Sequence, residues 1–220
     1  EESEVEDPDI SPEQPVFVSE WGSRGSGEGQ FNNPRGVAVT SGGFVYVADT
    51  NNHRIQKFDA VGAFRGQWGT FGTGESQFSQ LHGVAVAPDG SAVYVADTNN
   101  NRIQKFDADG FFLGEFGAAG TGDGKLYAPQ GLTVTSDGSV YVADTNNHRI
   151  QKFDANGGFL SNWGTQGFGD GELYKPNGVA VASDGSVYVL EKDIHRVKKF
   201  DADGGFVSKW GTSGSGDGDF

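Results

Sequence analysis

The 220-residue chain contains no cysteine and no methionine. Without thiols it can build neither a disulfide framework nor a thiolate metal site, and this is neutral on compartment. Without methionine it does not begin at a start codon, and it reads as a processed form or an excised piece. No apolar run approaches the roughly 20 residues of a membrane-spanning helix, so membrane insertion is not expected. No signal-peptide pattern is present either. Positive charge is scarce: 16 Lys and Arg stand against 30 Asp and Glu, a formal net charge of −14. So acidic a surface repels phosphate backbones, which argues against a nucleic-acid partner. It fits basic proteins, divalent cations or neutral glycans.

What the chain does have is glycine, 36 residues of it, beside 12 % aromatics. That aromatic content is too high for a disordered glycine-rich tract, so the glycines punctuate turns. They do so periodically. Asp49-Thr50-Asn51-Asn52-His53-Arg54-Ile55-Gln56-Lys57-Phe58-Asp59 returns at Asp97, at Asp144 and, altered, at Glu191, with spacings of 48, 47 and 47. Trp21, Trp68, Phe116, Trp163 and Trp210 recur in phase. A repeat of this length with four strand-like runs per copy predicts a β-propeller blade. The fold class is therefore all-β, a β-propeller of four-stranded antiparallel blades.

Each repeat divides into four alternating apolar and polar runs. Strand a is Gly36-Val37-Ala38-Val39, b is Val45-Tyr46-Val47-Ala48, c is Arg54-Ile55-Gln56-Lys57-Phe58, and d ends at Trp68. Lys57, Lys105, Lys152 and Lys199 on strand c are expected to be solvated. Repeats fall at about 22–68, 69–116, 117–163 and 164–210, with a partial crossover at 211–220. A further copy of strand d is predicted at 16–21. Residues 1–15 (EESEVEDPDISPEQP) lack aromatics and read as an acidic linker. Four complete blades plus one outer strand suggest part of a larger propeller. The isolated chain could be an open arc, a homo-oligomer that completes the ring, or four blades closed on themselves with one outer strand redundant.

Asn33-Pro34-Arg35-Gly36-Val37-Ala38-Val39, Val45-Tyr46-Val47-Ala48-Asp49 and Asn52-His53-Arg54-Ile55-Gln56-Lys57-Phe58 together resemble the NHL repeat, a propeller family whose typical domain has six blades. The resemblance covers residues 16–220. The fourth repeat departs from it, with Glu191-Lys192-Asp193-Ile194-His195-Arg196 in place of Asp-Thr-Asn-Asn-His-Arg, and specialisation is expected there. The resemblance implies several functions: protein- and RNA-binding platforms, ligand-binding ectodomains of bacterial receptors, and a few enzymes such as peptide-amidating lyases.

Repetition also sorts the candidate residues. Asp49, Asp97 and Asp144, each five residues before an Arg, read as turn staples. His53, His148 and His195 invite zinc, but a b–c turn lies too far from the axis for equivalent positions to meet. The acid in each Gly-rich d–a loop could touch calcium, but one carboxylate per loop is thin for a dedicated site. No cofactor is expected. The position before strand a is different: Arg35, His82, Gln130 and Asn177 vary while their surroundings do not. They sit near the channel mouth, on the face that carries the d–a crossovers and b–c turns. With Glu191, Lys192 and Asp193 they form the predicted ligand-binding set. No catalytic group is predicted. The leading function is a non-catalytic scaffold binding a protein or glycan, extracellular or in a cell envelope. The alternatives are a zinc-dependent lyase of the amidating type and a ligand-sensing receptor ectodomain.

Overall fold

A computed structural model describes residues 17–220. It contains four antiparallel four-stranded sheets in a β-propeller arrangement. Strands a to d are Pro34–Val39, Val45–Asp49, Arg54–Phe58 and Phe64–Trp68 in the first blade. They are Leu81–Val86, Val93–Asp97, Arg102–Phe106 and Phe112–Phe116 in the second. The third has Leu132–Val134, Val140–Asp144, Arg149–Phe153 and Phe159–Trp163; the fourth has Gly178–Val181, Val187–Glu191, Arg196–Phe200 and Phe206–Trp210. In each sheet the order is a-b-c-d, with neighbours in sequence paired in space. The predicted strands are thus found in every blade. Among the described residues no helix is long and apolar enough to cross a membrane.

Burial explains the sequence pattern. Strand b is covered on both faces by adjacent blades, so Val-Tyr-Val-Ala-Asp is continuously buried in the second and third blades. Strand d lies at the rim, so only alternate residues are covered. The cores lie between blades. Tyr46, Ala48 and Ile55 of the first blade pack against Leu81, Val84, Val93, Val95 and Phe106 of the second. Tyr94, Ala96 and Ile103 repeat the contact on the third, and Tyr141, Ala143 and Ile150 on the fourth. Strand c adds polar links between blades: the Lys57 ammonium donates to the Ala108 carbonyl at 2.8 Å, and Lys105 to Ala155 at 2.8 Å. These lysines bridge blades, contrary to the solvated positions expected from sequence.

Glycine at the start of strand a sets how closely blades approach. A Cβ on Gly36 would lie 2.5 Å from the His82 carbonyl oxygen, and one on Gly131 would lie 2.7 Å from that of Asn177. Gly178, the fourth member, meets only Leu190 of its own blade. The two end faces accordingly have no blade against them among the described residues. Val37 and Val39 are 66 % and 62 % exposed, whereas Val84, the counterpart of Val37, is 6 % exposed. Leu190 is 38 % exposed where Ala48, Ala96 and Ala143 are fully covered.

The outer strand expected at 16–21 does not form one. Position 16 and the linker at 1–15 lie outside the described residues, and residues 17–22 join no sheet. Strand d bonds to strand c of its own blade, and the described residues provide none for this segment. Its aromatic residue nevertheless takes the usual place. The Trp21 ring packs 4.5 Å from Phe58, as Trp68 does 5.7 Å from Phe106 and Trp163 6.2 Å from Phe200.

Candidate functional site at the channel mouth

Each b–c connection is a 3-10 turn whose last residue, His53 in the first blade, adopts a left-handed conformation at φ 53°. The Asp that ends strand b is buried beneath it. The Asp49 carboxylate accepts from the Asn32 backbone N–H at 2.7 Å, Arg54 Nε at 2.8 Å, Asn52 Nδ2 at 2.9 Å and Gln56 Nε2 at 3.1 Å. Arg54 Nη2 in turn donates to the Gly27 and Gln30 carbonyls. The d–a crossover is thereby fastened to the b–c hairpin, which puts both on one face, as the alternation of strands predicts. Asp97 with Arg102 and Asp144 with Arg149 repeat the staple at 2.8 Å.

The histidines of this turn serve the blade interface. His53 Nδ1 accepts from the Gln80 backbone N–H at 3.4 Å, and His148 Nδ1 from Lys175 at 3.1 Å. Asn101, at the same position in the second blade, accepts from Ala128 at 2.9 Å. Burial, followed by the nearby Lys175 cation, pushes the His148 pKa down. Among the described residues no three His, Asp or Glu side chains cluster in a way that could hold a metal ion.

The variable residues before strand a do meet. Arg35, His82, Gln130 and Asn177 line one cavity of about 650 Å³ together with Asn33 and Lys192. Its floor is the four strand-a glycine segments. His82 is half-buried in this rim. Burial, followed by the positive charge of Arg35, lowers its pKa to about 4, and Lys192 acts in the same direction. His82 is therefore neutral at physiological pH. Asn177 Oδ1 accepts from the Lys192 backbone N–H at 3.3 Å, which ties the fourth b–c turn to the mouth. Asn33, absent from the sequence-based set, enters through a left-handed backbone at φ 54°. Its equivalents Gln80, Ala128 and Lys175 share that backbone and stay out of the cavity, so the position carried no sequence signal.

Two of the predicted residues lie elsewhere. Glu191 is fully buried: it accepts from Tyr174 N–H at 2.6 Å and Arg196 Nε at 2.8 Å, so it is the fourth blade's staple and not a ligand group. Asp193 lines a neighbouring pocket of the fourth blade with Leu190, Lys192, His195 and Phe220, so Lys192 borders both. The departures of the fourth repeat rebuild its staple as well. Ile194 replaces the Asn that elsewhere donates to the carboxylate. Lys198, fully buried, replaces Gln and donates to the Gly169 and Glu172 carbonyls. Those are the counterparts of the oxygens that Arg54 takes in the first blade, and Arg196 Nη2 is left buried without a partner.

Relatives place this architecture. A 56-residue stretch is 48 % identical to the B-box type zinc finger protein ncl-1 of Caenorhabditis elegans, covering 26 % of this chain and 7 % of that protein. A stretch of the same length is 46 % identical to protein brain tumor of Drosophila melanogaster, covering 26 % of this chain and 5 % of that one. The chain thus spans a small fraction of the curated relatives it matches. Among solved structures, Kuenenia stuttgartiensis hydrazine synthase superposes with a TM-score of 0.62 at 18 % identity, over 85 % of this chain and 52 % of that one. A streptogramin B lyase does so at 0.60 and 18 %, over 80 % and 54 %. At that identity the likeness concerns the fold alone. The family model described as the NHL repeat matches residues 31–58, 78–106, 126–153 and 173–200, one match in each blade and about half of the chain, and the protein belongs to the NHL-repeat family.

Proposed function

We propose that this chain is a non-catalytic scaffold that binds a protein at the channel mouth. One observation carries the reading. Arg35, His82, Gln130 and Asn177, which differ from blade to blade within an otherwise repeated frame, converge on a single cavity. Positions fixed in every blade are accounted for by the staple and the interface cores; these four are not. A rigid concave rim with a few convergent polar groups is the usual form of a recognition site. The cavity wall contains no Phe, Tyr or Trp on which a sugar ring could stack, and this favours protein over glycan. An amidating-type lyase would need several metal donors at the mouth, where His82 is the sole residue of that type.

The test compares proteins captured by three forms of the full chain: the parent, the quadruple variant R35A/H82A/Q130A/N177A, and S41A/S136A/S183A on the opposite face. A set of partners kept by the opposite-face variant and lost by the mouth variant is expected. Capture of the same set by the mouth variant would place the binding surface elsewhere.

A further inference from the structure

The cavity has a charge sign opposite to that of the chain. Acids outnumber bases almost two to one in the sequence, yet no Asp or Glu lines the mouth, and its two ionised side chains, Arg35 and Lys192, are both cationic. Neither forms an ion pair among the described residues, as is true of half of the sixteen Lys and Arg, so both charges are available to a ligand. Of the nearest acids in sequence, Glu191 is spent in the staple, and Asp193 is absent from the mouth lining, although it lines a neighbouring pocket that Lys192 also borders. The fields of both cations reach His82, which lies between them in the ring and stays neutral.

Resting on the proposed use of the mouth, we infer that the ligand is an acidic peptide segment whose Asp or Glu carboxylate is held between Arg35 and Lys192. The planar guanidinium of Arg35 can take a carboxylate through two parallel N–H donors, and Lys192 adds a point charge from across the ring. Gln130, on the same rim, can offer its amide hydrogens to a second oxygen or a peptide carbonyl. A nucleic acid fits poorly. Tight binding of a phosphate backbone draws on many cations, about 6–10 contacts in well-studied cases, whereas the mouth offers two within a chain of net charge −14.

The test is fluorescence anisotropy on the full chain with fluorescein-labelled hexaglutamate, hexaglutamine and hexauridylate. Saturable binding of hexaglutamate is expected, at least tenfold tighter than that of the other two. R35Q and K192Q should each weaken it fivefold or more, and the double variant should abolish it. R65Q, on the outer strand, should leave it unchanged. Both mouth residues are exposed, so the variants should keep the parent's thermal midpoint. Equal binding of hexaglutamine, tighter binding of hexauridylate, no binding of hexaglutamate, or full binding by R35Q/K192Q would each overturn the inference. Should hexaglutamate fail while the alanine variant of the mouth still loses its captured partners, the scaffold reading stands and the acidic chemistry alone falls.

Discussion

Replacing Lys198 with Gln should stabilise the protein, although it removes a buried hydrogen-bonded cation. In the first three blades the equivalent residue is Gln56, Gln104 or Gln151. Its amide donates to the stapling carboxylate and to a crossover carbonyl, and its oxygen accepts from a crossover backbone N–H, that of Gly29 in the first blade. Lysine has no acceptor to offer. It occupies the two carbonyls that the Arg elsewhere takes, and Arg196 Nη2 is left without a partner. Buried Lys198 and half-buried Arg196 then share one carboxylate, with Lys198 Nζ 3.9 Å from Glu191. Burial lowers the Lys198 pKa, opposed by the Glu191 charge. K198Q would restore one to two hydrogen bonds and remove a desolvated charge, a gain of about 1–3 kcal/mol. For a chain of this size that corresponds to a rise of roughly 3–9 °C in thermal midpoint. Differential scanning calorimetry on parent and K198Q measures it directly. An unchanged or lowered midpoint would show that the longer Glu191 needs Lys198 as a counter-ion, and the account of the fourth staple would be wrong.

Three further outcomes follow from the same structure. D97A removes the acceptor of four donors around a buried Arg102, and chemical denaturation should show a loss of about 3–5 kcal/mol; a loss under 1 kcal/mol would contradict the staple. His82 has a folded pKa near 4, below the unfolded value of about 6.5. The unfolded state therefore binds more protons between those limits, and stability should fall as pH drops through that window and level off below it. The His82 share, reduced for its partial exposure, is about 1–2 kcal/mol; the difference between urea unfolding free energies at pH 7 and pH 4 should shrink by that amount in H82Q. V37K/V39K places charge on the bare face of the first blade, where both side chains are largely exposed. Light scattering should show less self-association at a thermal midpoint close to that of the parent.

Much of this molecule could be read from its chain. Period, strand limits and facing of loops followed from in-register copies, because each blade repeats one hydrogen-bonding recipe. The ring of Arg35, His82, Gln130 and Asn177 was legible for the converse reason: variation inside a constant frame marks positions that the frame does not use. Three features were not legible. The segment around Trp21 has the composition of a strand, but a strand exists only where a neighbour bonds to it. Lys57 and Lys105 of strand c look solvated because their partners are carbonyls some 50 residues away, which no local pattern shows. Glu191 was misplaced because its repeat was read as specialised for ligand. Its alignment with Asp49, and the joint change of Asn to Ile194 and Gln to Lys198, pointed to a rebuilt staple.

The least complete staple belongs to the last blade, whose outer face has no neighbouring blade among the described residues. In a linear stack where each unit leans only on its neighbours, melting starts at the weakest terminus and travels inward. This stack should therefore fray from its carboxyl end. A protease at low concentration would trim it blade by blade in that direction, leaving the amino-terminal blades as the last intact fragment.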